Sequence, residues 1–580
     1  MHIRICFILV LFSLLNTTGM NAHPRSLVGS WIGVLTISAG SKVHLGFTVR
    51  QDTNGHYRGT WSSPDQTPLP GEISSIKVNR DSIRFVLKVM NGLFVGVMSK
   101  DGSRIEGSFS QGFPIPFTLL RAESFVASLE DTSSSAPLKN FHLALKIAKD
   151  SNGWLGTVEV IDMGEEEYSI DSVIAHGDSL RFAVPTIDGE FTGSYKHGDP
   201  GEIDGVWQED EDFTPAHFAR VQVVPELVRP QEPRAPYLYK EDSVSYVNPR
   251  AGIMLAGTLT EPIGKGPFPA VVLILGSGPH DRDESIMGHK PFKVIADYLT
   301  RHGIAVLRAD DRGVGSSGGV YNGATSADFA SDVKSAIEFL KSRPEIDLKH
   351  IGLIGHSEGG MIAPMVAARD THYYSDHSDV AFLVLLAAPG IHISELMSLQ
   401  RSMLSKSDTS ARTKISLRYS ALMDGIVAGT TPSTEPLLSH RLDSLWRRAY
   451  AEQGGDTSQS ARALVIRSKV AALSQLLSPW YRYFIAYDPA IALRKVSAPL
   501  LAMNGTLDQQ VACDVDLQGI NSALKDGKNK DVTIRKLDSL NHLFQHAKTG
   551  SPDEYPMISE TFSPEALEIM STWILKHSHK

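Results

Sequence analysis

The stretch Ile351-Gly-Leu-Ile-Gly355-His-Ser357-Glu-Gly359-Gly360-Met361 decides how this chain is read. The apolar run Ile351 to Ile354 has the length and composition of a buried strand, and the small residues after Met361 (Ala363, Val366, Ala367) suit a closely packed helix. Between them, Gly355-His-Ser357-Glu-Gly359 has the G-x-S-x-G spacing of a nucleophile elbow, a sharp turn that lifts a serine hydroxyl clear of the sheet. Glycines on both sides of Ser357 remove the Cβ atoms that would collide where strand and helix approach. A serine so displayed needs a base, an acid and oxyanion donors elsewhere in the chain.

The apolar run Ala270 to Leu275 upstream reads as a strand buried on both faces. It runs into Gly276-Ser277-Gly278-Pro279-His280-Asp281-Arg282-Asp283, whose small residues let backbone N–H groups approach a substrate carbonyl. Ser277 is the expected oxyanion donor from this loop, with Gly278 as its competitor, and the N–H of Glu358 is the second donor. Helix and strand patterns alternate from here: Phe292 to His302, Ile304 to Leu307, a helix faced by Phe329, Val333, Ile337 and Leu340, then Phe382 to Leu386, Leu500 to Met503 and Val532 to Ile534. That alternation predicts a mainly parallel sheet with helices on both faces. Ile253 to Leu259 reads as an early edge strand.

Downstream of the nucleophile, Asp508 follows the strand at Leu500 to Met503, where the acid is expected, with Asp514 and Asp516 nearby on the following helix. His542, in Leu540-Asn-His-Leu-Phe544, is the expected base, and His546 is its alternative. Gly313-Val-Gly315-Ser-Ser-Gly318 satisfies a dinucleotide-binding spacing, but the acids that follow, Asp328 and Asp332, fall on the helix instead of at the end of a next strand. It is read as a turn, and no cofactor or metal is expected.

The bulk composition is that of a globular protein: 580 residues, 42% hydrophobic, net charge −9 with no basic block, which argues against a nucleic-acid partner. Arg4 and the apolar Cys6 to Leu15 read as a secretory signal with expected cleavage before His23, so residues 1–22 are expected to be a signal peptide, with an uncleaved anchor as the alternative. Its apolar core is too short for a span, so no membrane span is expected after cleavage, and the protein is expected to be secreted or periplasmic. Only Cys513 would remain, so no internal disulfide is expected.

From Leu27 to Arg220 the composition turns to Gly, β-branched and aromatic residues, and motifs recur. Asp81-Ser-Ile-Arg-Phe85 returns as Asp178-Ser-Leu-Arg-Phe182, Ile105-Glu-Gly107 as Ile203-Asp-Gly205, and Asn54-Gly with Gly59-Thr60 as Asn152-Gly with Gly156-Thr157. Two related all-β units are expected, residues 23–122 and 136–222. Their tryptophans (Trp31, Trp61, Trp154, Trp207) are read as core, with a carbohydrate-binding face as the alternative. The proline-dense segment Arg229 to Pro236 makes 223–240 a stiff extended linker, and 241–580 the second domain. A helical cap is expected over about 391–493, in which Met403, Trp446, Trp480, Tyr481, Tyr483 and Phe484 could line an acyl pocket but are mostly read as cap core.

The motifs Gly276-Ser-Gly-Pro-His-Asp-Arg-Asp-Glu284, His289-Lys-Pro-Phe292, Ala309-Asp-Asp-Arg-Gly-Val-Gly315, Gly355-His-Ser-Glu-Gly-Gly360, Asn504-Gly-Thr-Leu-Asp508-Gln and Leu540-Asn-His-Leu-Phe544 resemble those of bacterial α/β-hydrolase esterases described as serine aminopeptidase-like. The resemblance runs from about Pro230 to the end and implies an α/β-hydrolase fold, a triad of Ser357, Asp508 and His542, and Ser277 in the oxyanion loop. His280 departs from the family, which carries Gln there. The implied activity is carboxylester hydrolysis on a small-molecule substrate through an acyl-enzyme. An aminopeptidase would need carboxylates in the cap for a free amine, for which Glu395, Glu435 and Glu452 are available. A third reading makes the β units a glycan- or partner-binding module, with the hydrolase ancillary.

Overall fold

The computed structural model describes residues 26–578 apart from 38–40, 53, 88–89, 130–140, 152, 165, 171, 188, 210–211, 369–379 and 408–477. The signal segment, Trp446, Glu435, Glu452 and most of the cap lie outside the described residues. The chain divides into a β unit, extending to Pro225, and a unit that carries Glu226 to the C-terminus.

The β unit contains two sheets. The first is built from β1 (Gly29–Thr36), β2 (Lys42–Gln51), β3 (Tyr57–Ser63), β4 (Thr67–Glu72), β5 (Ser75–Asn79), β6 (Ser82–Leu87), β7 (Gly92–Met98), β8 (Arg104–Ser110) and β9 (Pro114–Arg121). The second comprises β10 (Glu123–Ser128), β11 (His142–Asp150), β12 (Gly153–Val160), β13 (Glu166–Ser169), β14 (Ser172–His176), β15 (Ser179–Val184), β16 (Gly189–Lys196), β17 (Asp199–Glu209) and β18 (Asp212–Val221). Both have one order: β4-β3-β2-β1-β9-β8-β7-β6-β5, and β13-β12-β11-β10-β18-β17-β16-β15-β14. Each is an antiparallel meander paired back on its own first strand, with its fourth and fifth strands at the edges. The first sheet cannot be flat: neighbouring strands lie about 4.8 Å apart, yet Phe47 on β2 stacks 5.2 Å from Phe85 on β6, five strands away in the order. It therefore curls around a filled aromatic core.

The sequence repeat is a structural repeat. Arg121 pairs with Trp31 across the β9–β1 junction and lies over its ring at 4.2 Å. Arg220 likewise pairs with Phe125 across β18–β10, 5.3 Å above that ring. The recurring glycines make room for rings: a Cβ on Gly205 would come within 2.5 Å of the Phe191 ring. The second sheet begins at Glu123, earlier than the expected 136, because β10 is the counterpart of β1 but shares none of the motifs that reveal the repeat. Trp31, Trp61 and Trp207 are buried, as expected of core, whereas Trp154 is only partly buried, with Lys149 over its ring. A buried ionic cluster joins the sheets. Lys146 on β11 contacts Glu159 (2.5 Å) and Glu167 (3.1 Å), and the Glu167 carboxylate accepts from Ser62 on β3 (2.6 Å) and Thr157 (2.5 Å). Burial alone would raise the Glu167 pKa, but the Lys146 charge and the two hydroxyls more than reverse this and hold it below the usual carboxylate range.

The second unit is a three-layer sandwich. Its sheet contains β19 (Lys240–Asn248), β20 (Ile253–Glu261), β21 (Phe268–Ile274), β22 (Ala305–Ala309), β23 (Ile346–His356), β24 (Leu383–Leu386), β25 (Leu500–Gly505) and β26 (Val532–Leu537), in the order β19-β20-β22-β21-β23-β24-β25-β26. Pairing is antiparallel up to β20–β22 and parallel from β22 onward. Ile253 to Leu259 is therefore not the edge. β19 covers it, a strand whose alternating, mostly exposed side chains gave no apolar run to recognise. The central strands are apolar on both faces because alternate side chains point to opposite helical layers. Val272 and Ile274 pack with α2 (Ser326–Lys341), α3 (Glu358–Ala367) and α7 (Cys513–Asp526), while Val271 and Leu273 pack with α1 (Pro291–Arg301) and α8 (Pro564–Ser578). Between β24 and β25 the chain leaves through α4 (Ile393–Ser407) and returns through α5 (Pro479–Ile485) and α6 (Pro489–Leu493). Among the described residues, no helix is long and apolar enough to cross a membrane.

The proline-rich segment is not a free spacer. Arg229 is buried, and its guanidinium donates to the carbonyls of Pro556 (2.8 Å), Ile558 (2.9 Å) and Gly288 (3.2 Å), while Gln231 bonds to Phe562 O and the Thr561 N–H. Proline density predicts extension, but the polar side chains between the prolines fasten the segment to the unit that follows.

Candidate active site

Ser357 sits between the end of β23 and the first residue of α3, with φ 52° and ψ −118°. A non-glycine residue there is strained by about 1–3 kcal/mol and persists only when its surroundings enforce it. The surroundings are crowded: a Cβ on Gly355 would lie 2.1 Å from Gly359 O, and one on Gly359 would lie 2.1 Å from Ile274 O. Strand, turn and helix thus meet at a distance only glycine permits, as the G-x-S-x-G reading requires.

Asp508 and His542, the candidate acid and base, lie side by side. His542 Nδ1 lies 2.8 Å from Asp508 Oδ2, and both residues are 4% exposed. The other carboxylate oxygen, Oδ1, accepts from the N–H groups of Gln510 (2.7 Å) and Val511 (2.9 Å), which fixes the carboxylate in one orientation. With Nδ1–H donating to Asp508, Nε2 is left with the lone pair a base needs. The His542 loop is rigid, because buried Asn541 Oδ1 accepts from the N–H groups of Leu543 (3.0 Å) and Gln545 (2.9 Å). The alternatives are engaged elsewhere. His546 pairs with Glu560 on the surface, Asp514 pairs with Lys536, and buried Asp516 accepts from Gly390 N–H at 2.8 Å.

The oxyanion loop after β21 is fastened at nearly every turn. Gly276 N–H donates to Glu284 Oε1 (2.7 Å), Gly278 N–H to the Tyr321 hydroxyl (3.0 Å), and His280 N–H to Asp311 Oδ2 (3.0 Å). Arg282 clamps Asp310 with two bonds, of 2.9 and 2.6 Å. The Gly278 N–H, the competing candidate donor, is thus engaged by Tyr321. His280 closes the loop on itself, its Nε2 lying 2.9 Å from Ser277 O. The Gly313 to Gly318 segment is a turn, as read: Asp310 Oδ2 accepts from Ser316 N–H at 2.9 Å, and the next helix starts only at Ser326.

Glu358 contributes more than a backbone N–H. Its buried carboxylate accepts from Ser326 Oγ (2.5 Å) and from Trp480 Nε1 (3.0 and 3.1 Å), and is hydrogen-bonded by the Ser277 side chain. Burial pushes this carboxyl above the ordinary range, partly offset by those three donors. One side chain therefore ties the elbow to the oxyanion loop, to the start of α2 and to the returning arm of the cap. Of the cap residues read mostly as core, Tyr481 and Phe484 are buried with Met361, Ile393 and Leu396 in the cap stem. Met403, Trp480 and Tyr483 keep partial exposure, and Glu395 is exposed. The roles of Glu284 and Tyr321 were not legible in the sequence, because neither has a fixed spacing from the residues it contacts.

Residues 289–441 match the family model described as serine aminopeptidase, S33. The chain is 27% identical over 495 residues to Esterase EstD of Thermotoga maritima, covering 84% of this chain and the whole of that protein. Among solved structures, an esterase of Pyrococcus furiosus, Pf2001, aligns with 17% identity over 58% of this chain and 90% of its own, at a TM-score of 0.35. The esterase domain of a Rhodothermus marinus protein aligns with 16% identity over 58% of this chain and 97% of its own, at 0.31. With its strand order and strained elbow, the chain from Lys240 to Ser578 has an α/β-hydrolase fold, and its sequence is similar to the serine aminopeptidase family model and to Esterase EstD.

Proposed function

We propose that the protein is an exported serine carboxylesterase acting on small-molecule esters of short to medium acyl chains. The observation that carries the reading is the buried His542–Asp508 pair, held in one tautomer and following in chain order a serine in the strained elbow conformation. The similarity to Esterase EstD supports ester over amide chemistry. Glu395, the described candidate for anchoring a peptide's amine, is a solvated surface carboxylate, which gives the peptidase alternative no support.

In this mechanism His542 Nε2 takes the proton of Ser357 Oγ as that oxygen attacks the ester carbonyl. The resulting oxyanion is held by the N–H groups of Ser277 and Glu358, each donor contributing about 3 kcal/mol. The imidazolium, stabilised by Asp508, returns its proton to the departing alkoxide. Water, deprotonated by His542, then attacks the acyl-enzyme, releasing the acid and restoring Ser357. Every atom is supplied by side chains, backbone, substrate and water.

The test is Ser357→Ala on a panel of p-nitrophenyl acyl esters beside aminoacyl p-nitroanilides. The reading expects wild-type turnover on esters, at least about 10³-fold loss in the variant, and an organophosphonate adduct on the peptide containing residue 357. Faster turnover of the anilides would favour the peptidase; undiminished ester hydrolysis by the variant would remove Ser357 from the mechanism.

A further inference from the structure

His356, the residue before the nucleophile, is 6% exposed, and its ring is bracketed by two oxygens. Nδ1 lies 3.0 Å from Glu284 Oε1, and Nε2 lies 3.0 Å from the main-chain carbonyl of His542. A carbonyl offers no hydrogen, so Nε2 must donate. Glu284 Oε1 also accepts the Gly276 N–H at 2.7 Å, a donor that favours its anionic form, and an ionised Glu284 takes a hydrogen from Nδ1 as well. An imidazole donating from both nitrogens is an imidazolium.

The pair touches three parts of the site at once. It grips the backbone of the base at His542, the first N–H of the oxyanion loop at Gly276, and the strand end that carries Ser357. Its ring centroid is 4.9 Å from that of His542. Apolar side chains seal it: Phe292, Leu386, Leu543 and Phe562 line the gap around Glu284 and His356.

We propose that Glu284 and His356 form a permanently ionised, buried positioning pair that holds the base and the oxyanion loop in register and fixes a positive charge beside His542. This goes beyond the esterase reading but rests on it for its kinetic consequence. Burial alone would discharge both groups; mutual attraction more than reverses that, raising the His356 pKa and lowering that of Glu284. The charged and titratable groups facing the pair are His542, Asp508 beyond it, and His280 and the buried Asp311 on the Glu284 side. Of the two charges, the positive one lies on the ring 4.9 Å from that of His542, so its removal is expected to be read in the pH profile of activity.

Two measurements test this. Neutron diffraction from the wild-type protein at pH 8 locates the deuterons on His356 without any variant and without any substrate. Deuterons on both ring nitrogens are expected; a bare nitrogen, or a deuteron on the Glu284 carboxyl, overturns the proposal. In His356→Gln, whose amide can still donate to the His542 carbonyl, the acid limb of the kcat/KM profile is expected to move up by about one pH unit. A fall in kcat with KM within about threefold is expected alongside. An unshifted acid limb in a variant that melts like wild type overturns it. Because the diffraction result is independent of turnover, a failure of the esterase reading leaves it standing.

Discussion

Ser357 is held by geometry and His542 by hydrogen bonds, and the two constraints differ in how mutation removes them. The elbow depends on absent atoms, the Cβ positions of Gly355 and Gly359 that neighbouring carbonyls already occupy. The base depends on Asp508, which accepts from three N–H groups, two from backbone and one from the imidazole. Asp508→Asn places an amide against Nδ1 and favours the tautomer with its proton on Nε2, where a base needs a lone pair. We expect kcat to fall by about 10³- to 10⁴-fold with little change in KM, measured in steady state on the preferred ester. Order along the chain and position after predicted strands were enough to choose Asp508 over Asp514 and Asp516, and His542 over His546. The same logic could not reach Glu284, Tyr321 or Ser326, because a contact across folded loops leaves no period in the sequence.

Two elements carry ionisable groups whose burial can be read out as stability. At the start of α7, burial pushes the Asp516 carboxyl up to about 7 from an ordinary 3.8. The unfolded carboxyl ionises first as pH rises, so the native state loses stability between 3.8 and about 7, and that loss is complete above 7. Asp516→Asn keeps an acceptor for the Gly390 N–H and removes the charge. Its melting temperature should exceed wild type at pH 8 and converge with it near pH 4, as calorimetry at the two pH values will show. The β11 cluster behaves oppositely. Glu167 is held below its ordinary range by Lys146, so the stability it supplies is present at neutral pH and lost as pH falls through its folded value. Lys146→Met leaves two buried carboxylates without their cation and should cost about 3–5 kcal/mol in urea unfolding at pH 7. Element boundaries were legible wherever apolar runs or turn signals marked them. They failed at β10 and β19, a strand without repeat motifs and a solvated edge.

At the scale of the whole molecule, the N-terminal reading predicts an exported protein whose mature chain begins at His23. Mass spectrometry of the N-terminal peptide from protein secreted by a bacterial host checks this, and an intact Met1 peptide on the exported protein would refute it. The two β sheets share one strand order, and their buried tryptophans and phenylalanines fill cores, which removes Trp31, Trp61 and Trp207 as a sugar-binding surface. The two related β units, the α/β fold after them, the elbow turn and the Asp508–His542 candidates were legible along the chain, because strand periodicity, glycine sterics and chain order are local or ordinal properties. Folding was needed to see that β19 covers β20, that the proline-rich segment is bound down through Arg229, that Glu358 joins elbow, oxyanion loop and cap, and that Glu284 and His356 meet behind His542. The last three rest on polar groups far apart in the chain, which choose partners only once burial has excluded water from them, and β19 is a local hairpin partner whose solvated side chains leave no apolar pattern.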